Sequence, residues 1–244
     1  MILSTTPKVH ASPPTTARPR GAPSRTRTFG EWRTVIEPLR LGAAVPRLAR
    51  APRGDGRLVV DIPGWLAPEA SMAPLRAFLR AKGHDARGWG LGTNRGNPER
   101  DCHRLIARLE ALVADSGRAA NLVAWSLGGV IAREAGRLRP DLVHRIVTYG
   151  TPVIGGPTHT TAAPHYGEDT CRQIAQRQAL LDQEQPLQVP VVVIFSPRDG
   201  VVDWRACIDH TSPRAEHVEV SSTHIGLGMD PDVWSTVARA FAGS

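Results

Sequence analysis

Several common chemistries are excluded by what this chain has little of. It holds three cysteines in 244 residues, Cys102, Cys171 and Cys207, and their spacing fits neither a disulfide framework nor a zinc ribbon. A Cys171–Cys207 bridge would need an oxidising compartment, so reduced, buried thiols in the cytoplasm are expected. No apolar run approaches the roughly 18 residues of a membrane helix. Met1-Ile2-Leu3 is not followed by the apolar stretch of roughly 7–15 residues that marks a secretory signal. Gly88-Trp89-Gly90-Leu91-Gly92 has no third glycine at dinucleotide spacing, and no phosphate loop with Lys-Ser or Lys-Thr occurs. His165, Asp169 and Cys171 match no strong metal-ligand spacing. Neither a cofactor nor a metal is expected.

Acidic side chains are also missing, but only locally. Residues 1–28 contain none, and residues 1–57 carry eleven basic residues against Glu31, Glu37 and Asp55, a net +8. Residues 58–244 carry nineteen against twenty, a net −1, so the whole-chain charge of +7 belongs to the front of the chain. Nucleic acid is not expected as a partner of the near-neutral remainder, and the basic leader is expected at most to touch an anionic membrane surface weakly. Rich in Ser, Thr, Pro and Arg, residues 1–28 are expected to be disordered. Apolar residues from Trp32 to Leu48 recur at helical spacing, interrupted by Pro38 and Pro46, which predicts short helical pieces over 29–56.

From residue 57 the pattern alternates. Strands are expected at 57–62, 85–89, 142–149, 190–195 and 215–220. Helices are expected at 68–82, 99–116, 130–138 and 232–241, with the 99–116 segment carrying Cys102, Leu105, Ile106, Leu109, Leu112 and Val113 on one stripe. Alternation of this kind implies an α/β domain over 57–244, with a mostly parallel sheet and helices on both faces. An insertion at about 151–188, with one helix near 169–182, is large enough to cap a site.

The richest stretch is Asn121-Leu122-Val123-Ala124-Trp125-Ser126-Leu127-Gly128-Gly129. An apolar strand runs into a serine, two glycines follow, and a helix begins: the layout of a nucleophile elbow. The tight turn demands small neighbours, which Gly128, Gly129 and Ala124 provide, although the usual motif has glycine where Ala124 stands. A serine hydroxyl is a weak nucleophile and needs a base, itself oriented by an acid. After the strongly β segment Val191–Phe195 comes Asp199, the expected acid; Asp203 is the weaker rival. After the next strand comes His224 in a glycine-flanked loop, the expected base, whereas His217 lies within the strand pattern and His210 in the loop before it. The order Ser126, Asp199, His224 is the one this layout requires. Two backbone donors for an oxyanion are expected at Leu127, after the nucleophile, and at Trp65, in the loop Ile62-Pro63-Gly64-Trp65-Leu66 after the first long strand.

These residues resemble the α/β-hydrolase superfamily, particularly small bacterial esterases and lipases. The resemblance rests on Ile62-Pro63-Gly64-Trp65, Gly88–Asn94, Ala124–Gly129, Tyr149-Gly150-Thr151-Pro152, Arg198–Trp204 and Ser222–Gly226, and covers roughly residues 55–244. It implies Ser126 as nucleophile, Asp199 as acid, His224 as base and cofactor-free hydrolysis of a carboxylic ester, with a small acyl ester or lipid as substrate. Acyl transfer or thioester hydrolysis on the same fold, or a non-catalytic binding protein, are the alternative expectations.

Overall fold

Four strand segments of this chain, at residues 58–62, 120–125, 143–149 and 191–195, place buried apolar residues on both faces, and that pattern requires cover on both sides. The structure, a computed structural model, describes residues 7–10 and 18–242. Its seven strands are β1 (Lys8–His10), β2 (Leu58–Ile62), β3 (Asp85–Gly88), β4 (Ala120–Trp125), β5 (Val143–Tyr149), β6 (Val191–Phe195) and β7 (Ala215–Glu219). They form one sheet in the order β1-β7-β6-β5-β4-β2-β3. All pairings are parallel except that of β1 with β7.

Strand alternation sorts the side chains into two cores. Val60, Ile62, Leu122, Ala124, Ile146, Val191 and Val193 face one side, and Val59, Val123, Val147, Val192 and Ile194 face the other. The first side is covered by α5 (Pro98–Ser116) and α6 (Leu127–Leu138), through Leu105, Leu109, Ile131 and Ala135. The second is covered by α4 (Ala73–Ala81) and α9 (Pro231–Phe241), through Leu75, Leu79, Val233, Val237 and Phe241. The insertion holds α7 (Ala163–Tyr166) and α8 (Glu168–Glu184).

One expectation about the front of the chain needs correction. The composition predicts disorder over residues 1–28, of which 1–6 and 11–17 lie outside the described residues; Lys8–His10 instead adds an antiparallel edge strand, with Lys8 and His10 beside Glu219. Within the same stretch, α1 (Arg25–Phe29) opens a helical series. A three-residue strand in a polar segment has too few side chains to show alternation; β7 supplies the register. The series continues through a 3-10 helix (Gly30–Ile36), α2 (Glu37–Ala43) and α3 (Val45–Ala49). The expected breaks at the prolines are present: the 3-10 helix ends at Ile36 and α2 at Ala43, and Pro38 and Pro46 stand at the start of the helices that follow. Each is the second residue of one, where a missing N–H costs nothing.

The strand order reverses between β2 and β4, since β3 lies beyond β2 and β5 beyond β4. In open α/β sheets the crevice at such a reversal, beyond the carboxyl ends of the strands, is where ligands bind. Ser126 follows β4, and the Pro63–Leu66 loop follows β2.

Candidate active site

Ser126 sits between β4 and α6 with φ +54 and ψ −125, a strained conformation for a residue with a side chain. The turn is held by its neighbours: the Ser126 N–H donates to the Tyr149 carbonyl, and the Thr151 hydroxyl donates to the Ser126 carbonyl, both at 2.9 Å. Close packing explains Gly128, where a Cβ would come within 2.6 Å of the Ile62 and Pro63 carbonyl oxygens. The start of α6 therefore lies directly on the end of β2.

The three residues expected to act together are brought together. His224 Nε2 lies 3.0 Å from Ser126 Oγ, and His224 Nδ1 lies 2.7 Å from Asp199 Oδ2. Asp199 and His224 are 1% and 3% exposed. The other Asp199 oxygen accepts the N–H groups of Val201 and Val202 at 2.9 and 2.7 Å, which fixes the carboxylate in place. Gly150 (φ +60) makes room for the imidazole, because a Cβ there would lie 2.9 Å from its ring. Burial opposes the imidazolium, but the charge and hydrogen bond of Asp199, with a further contribution from Glu31, raise the His224 pKa above the ordinary value.

The rivals are occupied elsewhere. Asp203 accepts the Arg20 N–H at 2.8 Å and caps the short helix Trp204–Cys207 through the Arg205 N–H. His217 accepts the Asp209 N–H at 3.0 Å, and burial pushes its pKa down to about 4. The three thiols are free and buried, and burial pushes Cys102 up to about 12, far from a reactive thiolate. Among the described residues, no cluster of three or more His, Cys, Asp or Glu is placed to hold a metal ion.

Leu127 is the first residue of α6, so its N–H has no carbonyl one turn back to receive it. Trp65 lies in the loop beside the serine: a Cβ on the preceding Gly64 would come within 3.2 Å of Ser126 Cβ. That loop is braced by the fully buried Asn94, whose side chain donates to the Pro63 carbonyl and whose own carbonyl accepts the Leu66 N–H. Leu66 itself has φ +57. The Trp65 indole also meets the insertion, packing 5.0 Å from the His165 ring and 6.0 Å from Tyr166. A cavity of about 520 Å³ opens within the insertion, with Thr158, Glu168 and Cys171 among its walls, and the Ser126, Asp199 and His224 side chains do not line it.

Glu31 is the site residue that sequence reasoning missed. Its buried carboxylate accepts the N–H groups of Gly200, His224 and Ile225 at 2.8, 2.9 and 3.0 Å. It thereby ties the loop of Asp199 to the loop of His224. Thr28 donates to the Gly200 carbonyl at 2.8 Å, and Thr34 pairs with Thr223 at 2.9 Å. Glu37 repeats the theme, accepting from Ser222 Oγ at 3.1 Å while Arg40 links it to Asp230. One signal was available: Glu31 and Glu37 are the only acids in the first 54 residues of a strongly basic segment.

No protein-family model matches the chain, and no curated protein matches it. Solved structures do. A mature Bacillus licheniformis lipase is 16% identical, covers 77% of this chain and 92% of its own, and superposes with a TM-score of 0.58. Aspergillus fumigatus lipase B is 15% identical, with 80% of this chain matching 55% of that one at a TM-score of 0.63. A thioesterase domain from the curacin biosynthetic pathway is 14% identical over 79% of this chain and 93% of its own, with a TM-score of 0.53. At such identities the likeness is one of architecture. The chain has the α/β-hydrolase fold.

Proposed function

We propose that the protein is a serine hydrolase that cleaves carboxylic esters through an acyl-enzyme. The observation that carries this reading is the continuous chain from Ser126 Oγ through the His224 ring to Asp199, with links of 3.0 and 2.7 Å. With Nδ1–H donated to Asp199, His224 Nε2 is free to take the Ser126 proton as Oγ attacks the ester carbonyl carbon. The carbonyl π electrons move to oxygen, and the N–H groups of Leu127 and Trp65 are the donors assigned to that oxyanion. Collapse of the tetrahedral intermediate expels the alcohol, which takes the proton from His224. Water then repeats the sequence on the acyl-enzyme, releasing the acid and restoring Ser126. Three free, buried thiols support a reducing, cytoplasmic setting.

A fluorophosphonate probe tests the reading. The expected result is one covalent adduct at Ser126 and its loss in Ser126→Ala, together with turnover of short p-nitrophenyl esters. An unlabelled serine and no turnover would make the protein a binder on this fold. Faster turnover of a thioester than of the matching oxyester would move it to the thioesterases.

A further inference from the structure

Eleven large apolar side chains are strongly exposed among the described residues, and six of them fall between residues 29 and 45. Phe29, Trp32, Val35 and Leu39, exposed by 63–81%, follow one another at intervals of three or four residues. That spacing places them on one face of the successive helical turns from α1 through α2. The polarity of this segment is inverted. Its two acids, Glu31 and Glu37, are buried against the loops of the active site, while its aromatic and branched side chains face outward.

Charge identifies what such a face would meet. Between residues 18 and 54 the only acids are these two buried ones, whereas Arg25, Arg27, Arg33 and Arg50 are exposed. The outward charge of the segment is therefore of one sign, and it borders an apolar face that includes Trp and Phe. A second copy of the chain would bring arginine against arginine across a two-fold axis. An anionic bilayer complements both features, since Trp and Phe enter the headgroup boundary and Arg pairs with lipid phosphates.

We propose that the face formed by Phe29, Trp32, Val35 and Leu39, with its arginine rim, docks the protein on anionic lipid surfaces. The docked segment adjoins the active site: Glu31 holds the N–H of Ile225, which is half exposed and follows His224 directly. Docking would therefore set the loop of the base at the edge of the lipid headgroups. Binding to lipid stands independently of the hydrolase reading and is measured without turnover.

The test is co-sedimentation of the full chain with phosphatidylcholine vesicles, with or without about 30% phosphatidylglycerol, at low and high salt. Binding to the anionic vesicles should exceed binding to the neutral ones by about tenfold or more, and should fall steeply with salt. Phe29→Ser/Trp32→Ser/Leu39→Ser should weaken it by about tenfold or more with an unchanged circular dichroism spectrum. Arg25→Gln/Arg27→Gln/Arg33→Gln should remove the preference for anionic lipid. Equal binding of wild type and the apolar variant, or no sedimentation of wild type with either vesicle, would overturn the proposal. So would a wild-type dimer that the apolar variant converts to monomer. Should the triple apolar variant fail to fold, Trp32→Phe decides. The fluorescence difference between wild type and that variant must shift to the blue on adding anionic vesicles, and no shift overturns the proposal.

Discussion

The carboxylate of Glu31 accepts the main-chain N–H of His224 at 2.9 Å, across 193 residues of sequence. It also accepts the Gly200 N–H next to Asp199. The loops that carry His224 and Asp199 are thus held from behind by one buried carboxylate.

Glu31→Ala should leave two buried N–H groups and one part-buried N–H group without acceptors. At about 1 kcal/mol for each buried orphaned donor, the loss of stability is about 2 kcal/mol, with a fall in kcat measured below the new unfolding transition. Glu31→Gln keeps an oxygen in place but removes a charge that helps raise the His224 pKa. In Glu31→Gln the acid limb of the kcat/KM profile should move to lower pH. An unmoved limb with lowered stability would make Glu31 a structural brace alone.

On the proposed mechanism, the pH dependence of the unaltered protein follows from His224. Only the neutral imidazole accepts the Ser126 proton, so kcat/KM rises as His224 loses its proton. Because Asp199 raises that pKa above the ordinary 6.5, the acid limb should have an apparent pKa above 6.5. Asp199→Asn removes the raising charge and favours the wrong tautomer, which should lower turnover by about 10⁴ and move the limb down. Steady-state rates between mildly acidic and mildly alkaline pH would check both.

Ser126, the proposed nucleophile, sits in a strained conformation. Replacing the nucleophile by alanine should lower turnover by about 10⁶. Ser126→Gly should do the same while relieving the positive φ, for a gain of about 1 kcal/mol. Thermal melts should then show the inactive glycine variant a few degrees above wild type, roughly 2–4 °C. A lower melting temperature would mean that the turn depends on the serine side chain.

Away from the site, Arg133 on α6 and Asp209 form a buried pair at 2.7 Å, 5% and 1% exposed. Burial works against the Asp209 charge, yet Arg133 and the Ser212 and Thr211 donors hold the carboxyl well below its usual range. Arg133→Met would strand that anion, at an expected cost of about 3–5 kcal/mol. Urea denaturation would read this as a lower midpoint, while fluorophosphonate labelling of folded protein stays intact.

Much of the fold could be read from local pattern. The β2, β5, β6 and β7 segments, α5 and α9 lie within about two residues of where apolar periodicity places them, because each buries a continuous face that no other period would serve. The elbow, Asp199 and His224 were legible for a related reason: small residues beside Ser126 and polar residues at strand ends stand out against apolar runs. β1 was not legible, since three polar-flanked residues become a strand only when β7 offers its open edge. Pro38 and Pro46 were legible as breaks, because proline is tolerated only in the first turn of a helix and so marks where a new one begins.

The sequence by itself determined the alternating architecture and the order Ser126, Asp199, His224, since both are written in neighbouring side chains and their spacing. Tertiary structure decided the choice of Asp199 over Asp203 and the inward turn of Glu31 and Glu37. It also decided the outward turn of Phe29, Trp32 and Leu39. These depend on contacts between residues some 25 to 190 positions apart, and local periodicity carries no record of partners at that distance.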